Sequence, residues 1–228
     1  MTEHGIYYPA EISGKQLDAF LAKGWYRMGQ GIFTTNYVIQ EDSFFRVYWL
    51  RYNLETIQPV KRTQQIIKTN LGFKKNIRPL QVSPELEELY NLYKTAISFE
   101  PAESVQSWLF ERQTHNIYDS HLIEIRDGGL LIAAGVFDQG QNSIAGILNF
   151  YHPAYKKYSL GKYLMLLKIE YALTTGRKWY YPGYIVKDYP KFDYKLFIDK
   201  ASAEILIPEK NQWYSYDRDL LREIDGLG

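Results

Sequence analysis

The sequence predicts an α/β protein of the α+β kind: a mixed, mostly antiparallel sheet flanked by helices, preceded by a smaller α+β N-terminal region. Three observations carry this. HLIEIRD, GGLLIAAGVFD and NSIAGILNFYH follow one another with turn residues Asp127-Gly128-Gly129 and Asp138 to Asn142 between them, the pattern of three antiparallel strands. KYLMLLKIEYAL is apolar nearly all round, which suits a helix buried against a sheet. RKWYYPGYIV and ASAEILI then add two further strand-like runs.

The remaining elements follow in order. SGKQLDAFLAK reads as a short amphipathic helix capped by Ser13, with Leu17, Phe20 and Leu21 as its stripe and Gly24 at its C-terminal cap position. GWYRMGQGIFTTNYVI reads as strand, turn and strand. SFFRVYWLRYNL is a strong strand, with Phe45, Val47 and Trp49 on one face and Phe44, Arg46 and Tyr48 on the other. Residues 56–83 carry Lys61, Arg62, Lys68, Lys74, Lys75 and Arg78 and no carboxylate. Either this is a solvated basic linker, or it is a strip that holds phosphates. Ser83 and Pro84 open a helix with acidic residues in its first turn, and AESVQSWLFERQ is a second helical run. FYHPAYKKYSLG leads into the apolar helix from Leu160 to Thr175, which Gly176 stops. Pro182-Gly183 demands a bulge or splayed point in its strand, because proline cannot donate to a ladder. KDYPKFDYKLFIDK reads as an irregular loop. The expected division is 1–80 for the N-terminal region, 81–208 for the main domain and 209–228 for a polar tail.

Composition narrows the function. Net charge is +1, so nucleic-acid binding needs a local patch rather than a whole-molecule field. The absence of cysteine excludes disulfides, thiol nucleophiles and thiolate metal sites. Aromatics reach 16%, with 21 Tyr, residues that stack on bases or peptide as readily as they fill cores. MTEHGIYYPAEISG lacks a basic-then-apolar leader, and no run reaches the ~20 apolar residues of a membrane span. A soluble cytoplasmic protein is the expectation.

From residue 85 onward the order is helix, helix, three antiparallel strands, turn, helix, strand, loop, strand. This is the element order of N-acyltransferase domains of the GNAT type, whose helix after the splayed strand points its N-terminus at the phosphates of the acyl donor. An acetyl-CoA-binding member has Arg or Gln, two residues, Gly, one residue, then Gly or Ala at that turn. Here Tyr158-Ser159-Leu160-Gly161-Lys162-Tyr163 keeps one glycine, and a phenol at position 163 is expected to block close approach of the backbone to a pyrophosphate.

SLGKYLMLLKIEYA followed by WYYPGYIVKDYPKFDYK resembles the C-terminal domain of arginyl-tRNA–protein transferases and their bacterial leucyl-transferring relatives. The matching positions are Ser159, Leu160, Gly161, Glu170, Gly183, Tyr184, Lys191, Tyr194 and Lys195. KRTQQIIKTN, residues 61–70, resembles the family's basic segment, and FLAKGWYRMGQGIF its N-terminal Gly-Trp motif. Where the family carries Cys-x-x-Cys, this chain has Thr34-Thr35-Asn36-Tyr37.

The resemblance implies transfer of Arg or Leu from aminoacyl-tRNA to the N-terminal α-amino group of an acceptor protein, marking it for degradation. The partners are then charged tRNA and an acceptor protein or peptide, with no membrane, and neither cofactor nor metal is needed because the ester is already activated. Lys61, Arg62, Lys68, Lys156, Lys157 and Lys162 are expected on the tRNA phosphates, and Ser159, Leu160 and Gly161 at the donor turn. Gly183, Tyr184, Lys191, Tyr194 and Lys195 are expected around the acceptor peptide, where Arg62, Lys191 or Lys195 would pair with an N-terminal Asp or Glu. Tyr151, Glu170 and Tyr184 are the catalytic candidates, although Glu170 on an apolar helix is more simply a buried partner of a lysine or tyrosine. Two rival readings are an acyl-CoA-dependent N-acyltransferase and a non-catalytic RNA- or peptide-binding relative.

Overall fold

A computed structural model describes residues 5–40, 43–98, 100–111 and 113–217. The elements are β1 (Gly5–Tyr7), α1 (Gly14–Ala22), β2 (Tyr26–Met28), β3 (Gly31–Thr34), β4 (Tyr37–Gln40), β5 (Ser43–Asn53), α2 (Lys61–Asn70), β6 (Lys74–Pro79), α3 (Pro84–Lys94) and α4 (Val105–Phe110). Next come β7 (Ser120–Asp127), β8 (Leu130–Gln139), β9 (Ser143–Tyr151), α5 (Leu160–Thr174), β10 (Trp179–Val186), β11 (Ala203–Ile207) and β12 (Gln212–Ser215). Local chemistry accounts for the helix starts. Ser13 and Gln16 exchange hydrogen bonds in a capping box, and Ser83 accepts from the Leu86 N–H ahead of Pro84.

The main sheet runs β12-β11-β5-β10-β9-β8-β7-β6, with β4 on β5, and its β10–β9 pair is parallel. A small sheet, β1-β3-β2, stands apart. One face of the main sheet carries α5 and α2, with Tyr48, Leu50 and Tyr52 of β5 turned into that core. The other face is covered in two places: α1 and the small sheet lie over Trp49, Ala145 and Tyr181, and α3 with α4 over Leu122, Ala134 and Phe150. The result is the GNAT-like, mostly antiparallel α/β sheet that the element order predicts. Strands β5 and β6 belong to this sheet, so chain from both sides of residue 80 builds it, and β12 of the expected tail is one of its strands.

Residues 56–83 are no linker. They form α2 and the strand β6. The inward face of α2 is Thr63, Ile66 and Asn70, at helical spacing. Asn70 donates to the carbonyls of Ile66 and Tyr158, at 2.8 and 3.0 Å, tying α2 to the turn before α5. Polar residues fill two of these three inward positions, so the sequence shows no apolar stripe there. Two of the segment's cations are neutralised by later chain: Lys75 by Glu170 and Arg78 by Glu124. The segment Thr34-Thr35-Asn36-Tyr37 joins the end of β3 to the start of β4, with the Thr35 hydroxyl donating to the Tyr37 carbonyl.

The functional geometry starts where β9 and β10 part. They pair only from Trp179 to Tyr181 against Ser143 to Ala145. Pro182 then brings no N–H to the ladder. The β10–β5 register shifts between Tyr180 and Gly183, and Gly183 sits at φ +98, a conformation open to glycine and strained for other residues. The Tyr26 hydroxyl lies between the carbonyls of Gly146 and Tyr181, at 2.6 and 2.9 Å, and donates across the opening.

Replacing Tyr26 with Phe leaves both carbonyls without that donor. It is expected to lower unfolding free energy by about 1–3 kcal/mol, read as a shifted urea midpoint at unchanged slope.

Candidate active site between the parted strands

The parting opens a cleft of about 620 Å³. Its walls are β9 from Gly146 to Asn149 and β10 with the following turn, namely Pro182, Gly183, Tyr184, Tyr194 and Lys195. Tyr90 and Tyr93 of α3, Trp108 of α4 and Tyr26 of the small sheet close it over. Burial raises the phenol pKa of Tyr180, Tyr184 and Tyr194, and moves that of Tyr93 up to about 12. At neutral pH these tyrosines are therefore hydroxyl donors rather than bases.

Lys195 is the unusual group of the cleft. It is 9% exposed and donates to the Tyr184 carbonyl at 2.7 Å. Its ammonium lies 5.3, 4.8 and 5.2 Å from the ring centres of Tyr184, Phe192 and Tyr194. No carboxylate among the described residues pairs with it. Burial alone brings its pKa down to about 7. Ring faces and one carbonyl hold the amine, and no described carboxylate compensates its charge.

A second buried lysine supports the opposite wall. Lys168 of α5 is fully buried and donates to the carbonyls of Val136 and Leu148 and to Asn149 Oδ1, at 2.7, 3.2 and 2.8 Å. These acceptors cluster at the register shift between β8 and β9. Because Lys168 occupies the oxygen of Asn149, the amide N–H₂ of Asn149 is the end left for the cleft. Desolvation brings Lys168 down to about 7, against the pull of Asp138. Asp138 itself is buried with Arg27, which also donates to Ser120 Oγ and the Leu109 carbonyl, locking the small sheet and α4 to β7 and β8.

The structure brings Gly183, Tyr184, Tyr194 and Lys195 together and leaves Lys191 exposed outside the lining. Tyr151 stands just behind the cleft, its ring 5.7 Å from that of Tyr93 and over Gly161. Glu170 is not the buried carboxylate expected of an apolar helix. Its side chain is 56% exposed and paired at 2.8 Å with Lys75, on the face of α5 turned to α2 and β6, away from the cleft. Tyr163 does not stand over the donor turn either, being buried in the groove between α5 and α2. Ser159 takes a left-handed conformation, φ +54, ahead of a buried Leu160, and makes no side-chain cap. Lys61, Lys68, Lys156 and Lys157 are exposed, and Arg62, exposed as well, meets the half-buried Lys162 in a pocket beside the cleft. Sequence reasoning missed Tyr26, Asn149, Glu100 and Glu111, all of which line the cleft. Lys168 did leave a signal, as a lone amine in an apolar run.

A mostly antiparallel sheet parted beside a helix N-terminus, with a cleft at the parting, is the GNAT-like architecture. The model of the C terminus of arginine-tRNA-protein transferase matches residues 85–202, and the chain belongs to that family. It is an aminoacyltransferase. It is 26% identical to an aspartate/glutamate leucyltransferase of Leptospira interrogans over 216 residues, covering 92% of this chain and 82% of that one. The corresponding enzyme of Thiobacillus denitrificans is 27% identical over 149 residues, 64% of this chain and 62% of the relative. A crystal structure of FemX shares the fold, with a TM-score of 0.51 at 10% identity, covering 91% of this chain and 70% of that one.

The two buried lysines make stability pH-dependent. The unfolded chain holds their protons up to pH ~10.4, while the folded chain releases them near 7. The unfolded state thus binds more protons in that window, and stability rises with pH, by about 1.4 kcal/mol per unit for each lysine at full effect. Urea midpoints at pH 7, 8 and 9 are expected to climb, and Lys168→Met to climb about half as steeply.

Proposed function

We propose that this enzyme moves leucine from the 3′ end of charged tRNA to the α-amino group of proteins beginning with Asp or Glu. The observation that carries it is Lys195, a cation buried in the cleft wall with no carboxylate partner among the described residues. An acceptor's side-chain carboxylate would supply the missing charge and take up the amine's remaining N–H donors. The names of the relatives, aspartate/glutamate leucyltransferases, support the same pairing of acceptor and donor.

In this reading the acceptor amine, deprotonated, attacks the ester carbonyl. A C–N bond forms, the bond from the carbonyl carbon to the ribose oxygen breaks, and the proton leaving nitrogen ends on that oxygen. The ester is already activated, so the protein's part is to juxtapose the reactants and to stabilise the oxyanion. The Asn149 N–H₂, whose amide Lys168 holds by its oxygen, would be the side-chain donor for that, with Tyr184 in the facing wall. Tyr151, one ring further back, shapes the floor, and Glu170 takes no part. The exposed cations Lys61, Lys68, Lys156 and Lys157 would meet acceptor-stem phosphates. Products carrying N-terminal leucine would be marked for degradation in the cytoplasm, where charged tRNA and finished proteins meet. Among the described residues no helix is long and apolar enough to cross a membrane. Arginine as the donor is the second reading, favoured by Glu100 and Glu111 in the lining.

The test is transfer of labelled Leu or, separately, Arg from charged tRNA to peptides beginning Asp, Asn, Glu or Ala. Leucine is expected on the Asp and Glu peptides. No transfer from either tRNA, with the tRNA intact and the protein folded, overturns the reading. The ratio of kcat/KM for Asp to that for Asn cancels the amine's own titration. Lys195 is a cation only below its pKa, so this ratio is expected to fall as pH rises through about 7. Lys195→Met is expected to lower the ratio about 10- to 100-fold, the equivalent of a charge-assisted hydrogen bond, and to flatten its pH dependence.

A further inference from the structure

Beside the cleft lies a second pocket of about 190 Å³, and Tyr194 lines both. Three cations reach it from distant parts of the chain: Arg62 on α2, Lys162 in the first turn of α5, and Lys200 just ahead of β11. None of the three has a carboxylate partner among the described residues, although one carboxylate, Asp193, shares the lining. Lys162 instead lies over the Phe197 ring, 5.5 Å from its centre. Desolvation, and then the nearby Arg62 charge, disfavour its protonated form. Elsewhere in the same basic segment, Lys75 and Arg78 are neutralised by carboxylates. Here like charges are gathered and left, at a cost that an anion would relieve. The start of α5 adds the positive end of its helix on the same side. Two tyrosines, Tyr194 and Tyr216, provide flat apolar walls.

We propose that this pocket holds the phosphate of the donor's 3′-terminal nucleotide, with Arg62, Lys162 and Lys200 on the phosphate oxygens and Tyr194 between nucleoside and cleft. The assignment rests on the transfer reading above and deepens it. Tyr194 lines both cavities, so an acyl ester seated beside Asn149 and Lys195 would direct its own nucleotide's phosphate towards the second pocket. Lys200 joins the site only through folding, because it lies far in sequence from the basic strip.

The experiment uses the full chain at fixed ionic strength. Calorimetric titrations compare adenosine, adenosine 5′-monophosphate, a CCA trinucleotide and inorganic phosphate on the wild type and on the Arg62→Gln/Lys200→Gln variant, with circular dichroism as the check of folding. The wild type is expected to bind the monophosphate at least about tenfold more tightly than adenosine. The trinucleotide is expected to displace it, and the variant to lose the difference while keeping its affinity for adenosine. Equal binding of monophosphate and adenosine, or a difference that survives in the variant, overturns the proposal. So does binding of inorganic phosphate that the trinucleotide cannot displace, since the anion would then be free phosphate. Running the transfer assay on the same preparations separates the two readings. If no transfer occurs yet the variant-sensitive preference for monophosphate holds, the donor reading falls and the nucleotide site stands. If transfer proceeds and the variant's KM for charged tRNA is unchanged, the pocket assignment falls and the donor reading stands.

Discussion

The arrangement turns on one interruption, the end of β9–β10 pairing after Tyr181. A sheet that loses pairing in its middle exposes backbone acceptors that would otherwise be costly to bury. This chain meets that cost with side-chain donors. Tyr26 reaches from the small sheet to the carbonyls of Gly146 and Tyr181. On the other edge of β9, Lys168 comes up from α5 to the carbonyls of Val136 and Leu148 at the β8–β9 register shift, and Lys195 folds back onto Tyr184. The small sheet and α5 therefore do more than cover the two faces. They are the supports that let the parting stay open as a cleft instead of closing into a ladder.

The same supports give the cleft its charge. Two of the three donors are amines in a medium of low polarity, where the charged form is disfavoured. Lys168 is surrounded by oxygen acceptors and works as a brace. Lys195 has one acceptor and three ring faces, so its charge remains available to a ligand. The contrast is one of environment rather than residue type, and the proposed acceptor site rests on it.

The architecture was legible wherever a pattern is local. Ser13, Ser83 and Gly24 mark helix ends, turn residues separate the three apolar strand runs, and Pro182-Gly183 announces the break that matters most. The linker alternative for residues 56–83 failed because α2 buries Thr63 and Asn70 along with Ile66, so its inward face carries no hydrophobic period. The site was legible in part for a related reason. Gly183, Tyr184, Tyr194 and Lys195 lie close together in sequence, whereas Tyr26 and Asn149 reach the cleft only through sheet order. Glu170 misled because an apolar helix suggests burial all round. Its position instead meets the edge strand β6, where Lys75 is waiting.

The turn before α5 explains how a GNAT-like frame can serve a donor other than a coenzyme thioester. A pyrophosphate held against the helix start needs small residues so that backbone N–H groups can approach it closely. Here Tyr158 packs its ring 5.0 Å from that of Phe73, and Tyr163 is buried towards α2, so both phenols anchor the added helix instead of framing a glycine-rich loop. With α2 fixed there, Arg62 comes to the side of the helix start where Lys162 points. Positive charge is thereby moved from backbone amides to long side chains and shifted sideways towards Tyr194. Side-chain cations spaced around an open pocket tolerate a bulkier ligand than a tight backbone cradle does, and a nucleotide that continues into a folded RNA is such a ligand.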